Sequence, residues 1–123
     1  MRASRSAFTL IELLVVLVVL AILSAIAIAR FVSTKDSAYV ASMKADLRNL
    51  ALYEQNYLID SQGSYFSGNG SAQGFVPTVG VTVSATTDVG PPPSWQATAT
   101  HDKTNKTCSI TTAGPSIWEI SCP

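Results

Sequence analysis

Neither glycine nor proline occurs in the first 62 residues: all seven Gly lie at Gly63 or later and all six Pro at Pro77 or later. The two residues that most often end helices are thus missing from the N-terminal half, which is free to form one uninterrupted helix. Charge is equally sparse. Charged side chains make up 13% of the 123 residues, about half the share usual in a soluble domain. Eight basic and eight acidic groups cancel, so no basic field points to nucleic acid and no acidic one to a cationic partner. There is a single His, His101, and there are two Cys with no C-x-x-C between them, which excludes a dithiol redox motif and leaves too few soft ligands for a zinc site. The carboxylates Asp88, Asp102 and Glu119 have no calcium-loop spacing. No catalytic constellation emerges, so the expectation is a chain that is not an enzyme and needs no metal or cofactor.

Apolar material, by contrast, is abundant and concentrated. Hydrophobic residues are 47% of the chain, and from Leu13 to Ala29 seventeen residues carry Ser24 as their only polar side chain. Such a run is just long enough to cross a bilayer hydrocarbon core. Beyond Ala29 the pattern changes to Val40, Met43, Leu47, Leu50, Ala51 and Leu58, with Tyr53 and Tyr57 nearby, the three- and four-residue spacing of one buried helical face. Lys44, Arg48 and Asn49 fall on the opposite side. The spacing predicts one helix from about Thr9 to Ile59, roughly 75 Å long at about 1.5 Å per residue.

After Asp60 the composition turns to Ser, Thr, Gly and Pro, and the remainder reads as a small β-rich head. Val79, Val81, Val83 and Ala85 alternate with polar residues, as do Trp95, Ala97 and Ala99, and the proline-rich segment from Val89 to Ser94 separates the two runs. The fold class is therefore α+β: a long N-terminal helix, membrane-spanning and then amphipathic, packed on a small antiparallel sheet. Gly68, Gly70 and Gly74 approximate a dinucleotide fingerprint but follow a helix and precede a strand, the reverse of the required context. If Gly114, Pro115 and Ser116 form a three-residue turn, residues whose numbers sum to 230 face each other, and Cys108 lies opposite Cys122. That register puts Cys108, Ile110, Trp118, Ile120 and Cys122 on one face, with Trp118 opposite Thr112, and Ser109, Thr111, Ile117, Glu119 and Ser121 on the other. Opposed residues at a non-hydrogen-bonded position are close enough for a disulfide. A structural disulfide in an oxidising compartment is the expected state of the pair; a metal site or a thiol activated by His101 are the competing readings.

The first residues carry a further signal. MRASRSA, with Arg2 and Arg5, precedes Phe8-Thr-Leu-Ile-Glu12-Leu-Leu-Val-Val, a lone glutamate in an apolar stretch. A carboxylate at that depth of a membrane is costly and asks for a partner. This segment resembles the processing site of type IV prepilins, the family that includes type IV pilins and the pseudopilins of type II secretion. Ala7 stands where the family usually has Gly, and Ala21 and Ala29 stand where many pilins have Gly and Pro. The resemblance implies cleavage between Ala7 and Phe8 by a prepilin peptidase, which also N-methylates Phe8, and pairing of Glu12 with the Phe8 amine of a neighbouring subunit during assembly. It also implies the organisation of the chain: leader 1–7, membrane and filament-core helix 8–29, amphipathic half 30–60, αβ loop 61–78, and head 79–123 with a disulfide hairpin at Cys108 and Cys122. The implied partners are further copies of the chain, the peptidase, an assembly ATPase and a platform protein of the inner membrane. The precursor is expected in the bacterial inner membrane and the processed subunit in a surface filament. Alternatives are a type II secretion pseudopilin, and a minor pilin whose head binds a surface or DNA, with Lys103 and Lys106 near Trp95 or His101 touching phosphates. A plain secreted module, cut by signal peptidase after Ala27, and an uncleaved anchor holding a periplasmic head are the remaining readings.

Overall fold

The computed structural model describes residues 7–113 and 118–123. Its first element, α1, runs unbroken from Leu10 to Asp60, one residue from the expected limit at either end. The absence of Gly and Pro accounts for its continuity, including the stretch around Ala21 and Ala29. The chain divides into two compact units, with the boundary between Lys35 and Asp36.

In the first unit α1 buries none of its large apolar side chains. From Leu10 to Val32 they are exposed to between 48% at Val19 and 80% at Leu10. Ser24, the polar exception, donates its hydroxyl to the Leu20 carbonyl at 2.7 Å, and Thr34 does the same to Arg30 at 2.9 Å. Each hydroxyl is satisfied inside the helix, as a hydrocarbon environment requires.

In the second unit the periodicity takes effect. Met43, Leu47, Leu50 and Ala51 of α1 are buried, with Val40 and Tyr57 partly covered beside them. The helix stops at a left-handed residue, Gln62 (φ 59°), and the Gly63 amide returns to the Leu58 carbonyl at 2.9 Å. This closes the last turn in the manner of a Schellman motif. A connecting segment follows, with one 3-10 turn at Ser71–Gln73, and drops Phe66 and Phe75 onto the helix.

The sheet consists of β1 (Val81–Asp88), β2 (Ser94–His101) and β3 (Thr107–Thr111), antiparallel in that order. Val83 pairs with Ala99, and Ala99 with Cys108. Inward residues Val81, Val83, Ala85, Trp95, Ala97, Ala99, Cys108 and Ile110 join the helical stripe and the two phenylalanines in one core. Each large side chain so buried contributes about 1.5–3 kcal/mol. The outward face is built from Thr and Ser: Thr82, Thr100 and Thr107 lie in one row, and Ser84, Thr98 and Ser109 in the next. Single bridges bond the outer edges: Gly68 exchanges both backbone hydrogen bonds with Ala85 on β1, and Ser121 does so with Ser109 on β3.

Three expectations need correction. Val79 is not in a strand: it is 95% exposed, because Thr78 is tied to α1 and Gly80 turns the chain, so β1 starts at Val81. Among the described residues 118–123 there is no strand, and only Ser121 is bridged. The register summing to 230 holds there but not at Trp118, whose amide bonds to the Thr111 carbonyl while Thr112 gives its amide to Trp95 on β2. Trp118 adopts a left-handed conformation (φ 64°) and is 38% exposed, packing edge-on to Trp95 instead of filling the core. Glu119 is exposed, and the turn residues Gly114, Pro115 and Ser116 with Ile117 lie outside the described residues.

Candidate functional site

Ala7 and Phe8 precede α1 in extended, exposed chain, Phe8 being 89% accessible. Thr9 caps the helix. The Thr9 amide and hydroxyl both donate to Glu12 Oε2 at 2.8 Å, and the Glu12 amide reaches back to Thr9 Oγ1 at 3.3 Å. This is a reciprocal capping box, Thr-x-x-Glu, in which the Glu12 carboxylate accepts the Thr9 amide and the Thr9 hydroxyl accepts the Glu12 amide, two backbone donors that the helix leaves unpaired. The pattern is legible in the sequence at Thr9 to Glu12, yet its capping role is not part of the reading from resemblance. Glu12 therefore has local work within its own chain: it fixes the helix start directly behind the Ala7–Phe8 bond. Downstream, α1 holds a stretch long and apolar enough to cross a membrane.

An accessible peptide bond, a capped helix start with one carboxylate, and a wholly exposed apolar helix thus follow one another within about two dozen residues. Residues 2–28 match the prokaryotic N-terminal methylation motif. The chain carries the signature of type IV pilins and pseudopilins. None of the curated proteins compared with it matches it. The pilin-like character extends to the fold, a long N-terminal apolar helix packed on a three-stranded antiparallel sheet. Motif and helix together fit an inner-membrane precursor, and they suggest a structural subunit more than an enzyme. Arg2 and Arg5, assigned to a leader by the resemblance, lie outside the described residues.

At the other end of the pilin-like chain, Cys108 of β3 and Cys122 are joined in a disulfide with a Cα–Cα distance of 4.2 Å. The neighbouring pair Ser109 and Ser121 exchanges both backbone bonds at 2.8 and 3.0 Å, so the cysteines occupy the adjacent non-hydrogen-bonded position, where side chains come closest.

The head offers little to a phosphate backbone. Trp95 is 1% exposed and cannot stack on a base. Lys103 lies 3.5 Å from Asp102, which also contacts His101 Nδ1 at 3.0 Å. The His101 ring stacks on Tyr39 of α1 with 4.3 Å between centroids, and Gly80 runs so close above it that an added Cβ would lie 3.0 Å from Cε1. His101 is thus packed between helix and turn. Asp88, Asp102 and Glu119 are not brought together, and no metal-capable group of three occurs among the described residues.

The periodicity missed two acidic residues on the buried face of α1. Asp46 is 3% exposed and accepts the Thr78 amide at 2.8 Å and hydroxyl at 2.9 Å. Glu54 is fully buried; its Oε2 accepts the Phe66 amide at 3.1 Å, and its Oε1 has no partner. Burial pushes the Glu54 carboxyl up from 4.5 to about 7, against the opposing pull of the Phe66 amide. The spacing 43, 46, 47, 50, 51, 54 is itself one helical stripe, so position alone would have marked both.

Proposed function

We propose that this chain is a structural subunit of a type IV pilin-like filament. A prepilin peptidase cuts between Ala7 and Phe8 and N-methylates Phe8; residues 8–29 hold the processed subunit in the inner membrane until α1 bundles with its neighbours. In the bundle Glu12 pairs with the Phe8 amine of an adjacent copy, so that neither charge is left alone in an apolar core. The amphipathic half 30–60, the loop 61–78 and the head 79–123 then form the outer layer, with the Cys108–Cys122 bond closing the head's C-terminus. An assembly ATPase and a platform protein supply the work of extraction. Loss of Arg2 and Arg5 with the leader leaves six basic and eight acidic side chains of the eight and eight in the whole chain, a net charge of −2.

The observation that carries this reading is the matched motif at residues 2–28 leading directly into an apolar helix that buries nothing within its own unit. A helix of that kind is covered by lipid, by copies of itself, or by both in turn. Mass spectrometry of the membrane-extracted protein tests the reading: the mature N-terminus is expected to be methylated Phe8. A chain beginning at Ile28 or at Met1 would replace it with a secreted module or an uncleaved anchor. Imaging of surface filaments with and without the gene product then tests polymerisation itself.

A further inference from the structure

Glu54 takes no part in processing, membrane residence or polymerisation as proposed above, yet it is the least expected side chain in the molecule. It lies with none of its surface exposed, between Tyr53 and Tyr57 in sequence, under the connecting segment. Tyr57 holds Phe66 edge-on at 5.6 Å between centroids, and Tyr53 holds Phe75 at 5.7 Å. Between these two contacts Gly70 is pressed against α1: a Cβ there would lie 2.9 Å from Leu50 Cδ1 and 3.1 Å from Phe75 Cβ. The segment is therefore docked at three points by apolar contact and at a fourth by one polar contact, the Phe66 amide on Glu54 Oε2.

The fourth point is chemically different from the others. A carboxyl with one oxygen bonded and the other bare is tolerable as an uncharged acid, but as an anion it lacks the solvation that a buried charge requires. The phenols Tyr53 and Tyr57 are its neighbours in sequence on α1, and Tyr65 adjoins its partner Phe66; the inward face of the sheet is apolar, and Asp46, two turns back, is engaged with Thr78. Among the described residues no ion pair reaches Glu54, and what acts on its proton is burial and the Phe66 amide. Burial accordingly favours the protonated form, and the carboxyl is displaced to about 7.

We propose that Glu54 is a proton-operated latch on the connecting segment: uncharged, it lets Phe66 to Phe75 seat on α1, and ionised, it drives that segment open to admit water to the bare oxygen. The direction follows from linkage. In the open state the carboxyl has its ordinary affinity for protons, near 4.5, and in the docked state it holds its proton up to about 7. Between those limits the open form is the less protonated one, so raising the pH favours opening; above about 7 both forms are ionised and the bias is constant.

Amide hydrogen exchange on the full chain in detergent micelles tests the latch, read at single residues by NMR and compared at each pH with a Glu54→Gln variant so that intrinsic exchange cancels. The opening constant at the Phe66 amide is expected to rise about tenfold per pH unit between about pH 5 and pH 7 and then level off. The Phe75 amide, bonded to Gly70 within the same segment, should follow it. In Glu54→Gln, whose side-chain oxygen still accepts from Phe66 without carrying charge, the constant should be flat. The Ser109 amide, bonded to Ser121 at the far edge of the sheet, reports wider unfolding, which also frees Glu54 and so shares the slope; its opening constant should stay well below that of Phe66 at every pH. Identical slopes at Phe66 in both proteins overturn the proposal. So do equal opening constants at Phe66 and Ser109, which would assign the proton to global unfolding, or a side-chain carbon signal of Glu54 that titrates in the ordinary carboxylate range. Should Glu54→Gln not fold, the wild-type slope at Phe66 and the ratio of its opening constant to that of Ser109 decide alone.

Discussion

Replacing Asp46 by Ala removes the one polar clasp that holds the start of the sheet to the helix. Both oxygens of this 3% exposed side chain are used, one on the Thr78 amide at 2.8 Å and one on its hydroxyl at 2.9 Å. Hydrogen bonds to a carboxylate contribute about 1.5–3 kcal/mol each, and two would give about 3–6 kcal/mol. Thr78 itself is exposed, so water recovers part of the loss and the lower end, about 3 kcal/mol, is the expected cost. That is a large fraction of the roughly 5–15 kcal/mol that holds an ordinary domain together. Asp46→Asn keeps one acceptor oxygen and presents an amide nitrogen where the second acceptor was, so it should cost about half as much. A double-mutant cycle of Asp46→Ala with Thr78→Val isolates the hydroxyl arm, with an expected coupling of about 1–2 kcal/mol. Urea unfolding of the full chain in detergent, followed by tryptophan emission, supplies all four corners. The reasoning is refuted if Asp46→Ala unfolds at the wild-type midpoint, or if Asn is as costly as Ala, because either result would show that the Thr78 contacts carry no stability.

Five other substitutions, at four positions, separate competing roles. Glu12→Gln preserves an acceptor for the Thr9 capping box but removes the charge, so it should be processed and retained in the membrane as wild type while filament yield collapses; Glu12→Ala should lose the cap as well, and normal filaments from the Gln variant would reject the amine pairing. Cys108→Ser opens a loop of fifteen residues spanned by a sequence separation of 14, which the chain-entropy model values at about 3 kcal/mol; an unchanged unfolding midpoint without reductant would reject a stabilising role. Trp95→Ala should cost about 3–5 kcal/mol because that side chain is 1% exposed, whereas Trp118→Ala, at 38% exposure, should cost far less; equal costs in thermal unfolding would contradict the packing described.

What the sequence made legible was periodic or covalently constrained. The unbroken helix followed from missing Gly and Pro, and the inward set Val81, Val83, Ala85, Trp95, Ala97 and Ala99 from strict alternation. The register of the last segment followed from a single turn and is realised at Ser109 and Ser121. What was hidden depended on contacts between distant residues. Asp46 and Glu54 stand on the helical stripe by position, but their partners are Thr78 and Phe66, 32 and 12 residues away, whose amides meet them in the core. Trp118 left its assigned face because Thr112 bonds to Trp95 across the sheet, a competition that no local pattern encodes. The start of the chain lies between these cases: its methylation motif and the Thr9-x-x-Glu12 spacing were readable, while the hydrogen bonds that make Glu12 part of the helix cap required the geometry.

The two single bridges on the sheet have a consequence for crowding. A three-stranded sheet has two open edges, and edges are templates on which foreign strands add, leading to domain exchange or cross-β aggregates. Here Gly68 occupies the middle of one edge at Ala85, and Ser121 occupies the other at Ser109, the latter held in place by the adjoining disulfide. A strand approaching either side finds its central hydrogen bonds already taken. In the filament proposed above, heads of this kind would meet at very high local concentration without offering the free central hydrogen bonds on which amyloid-like growth starts.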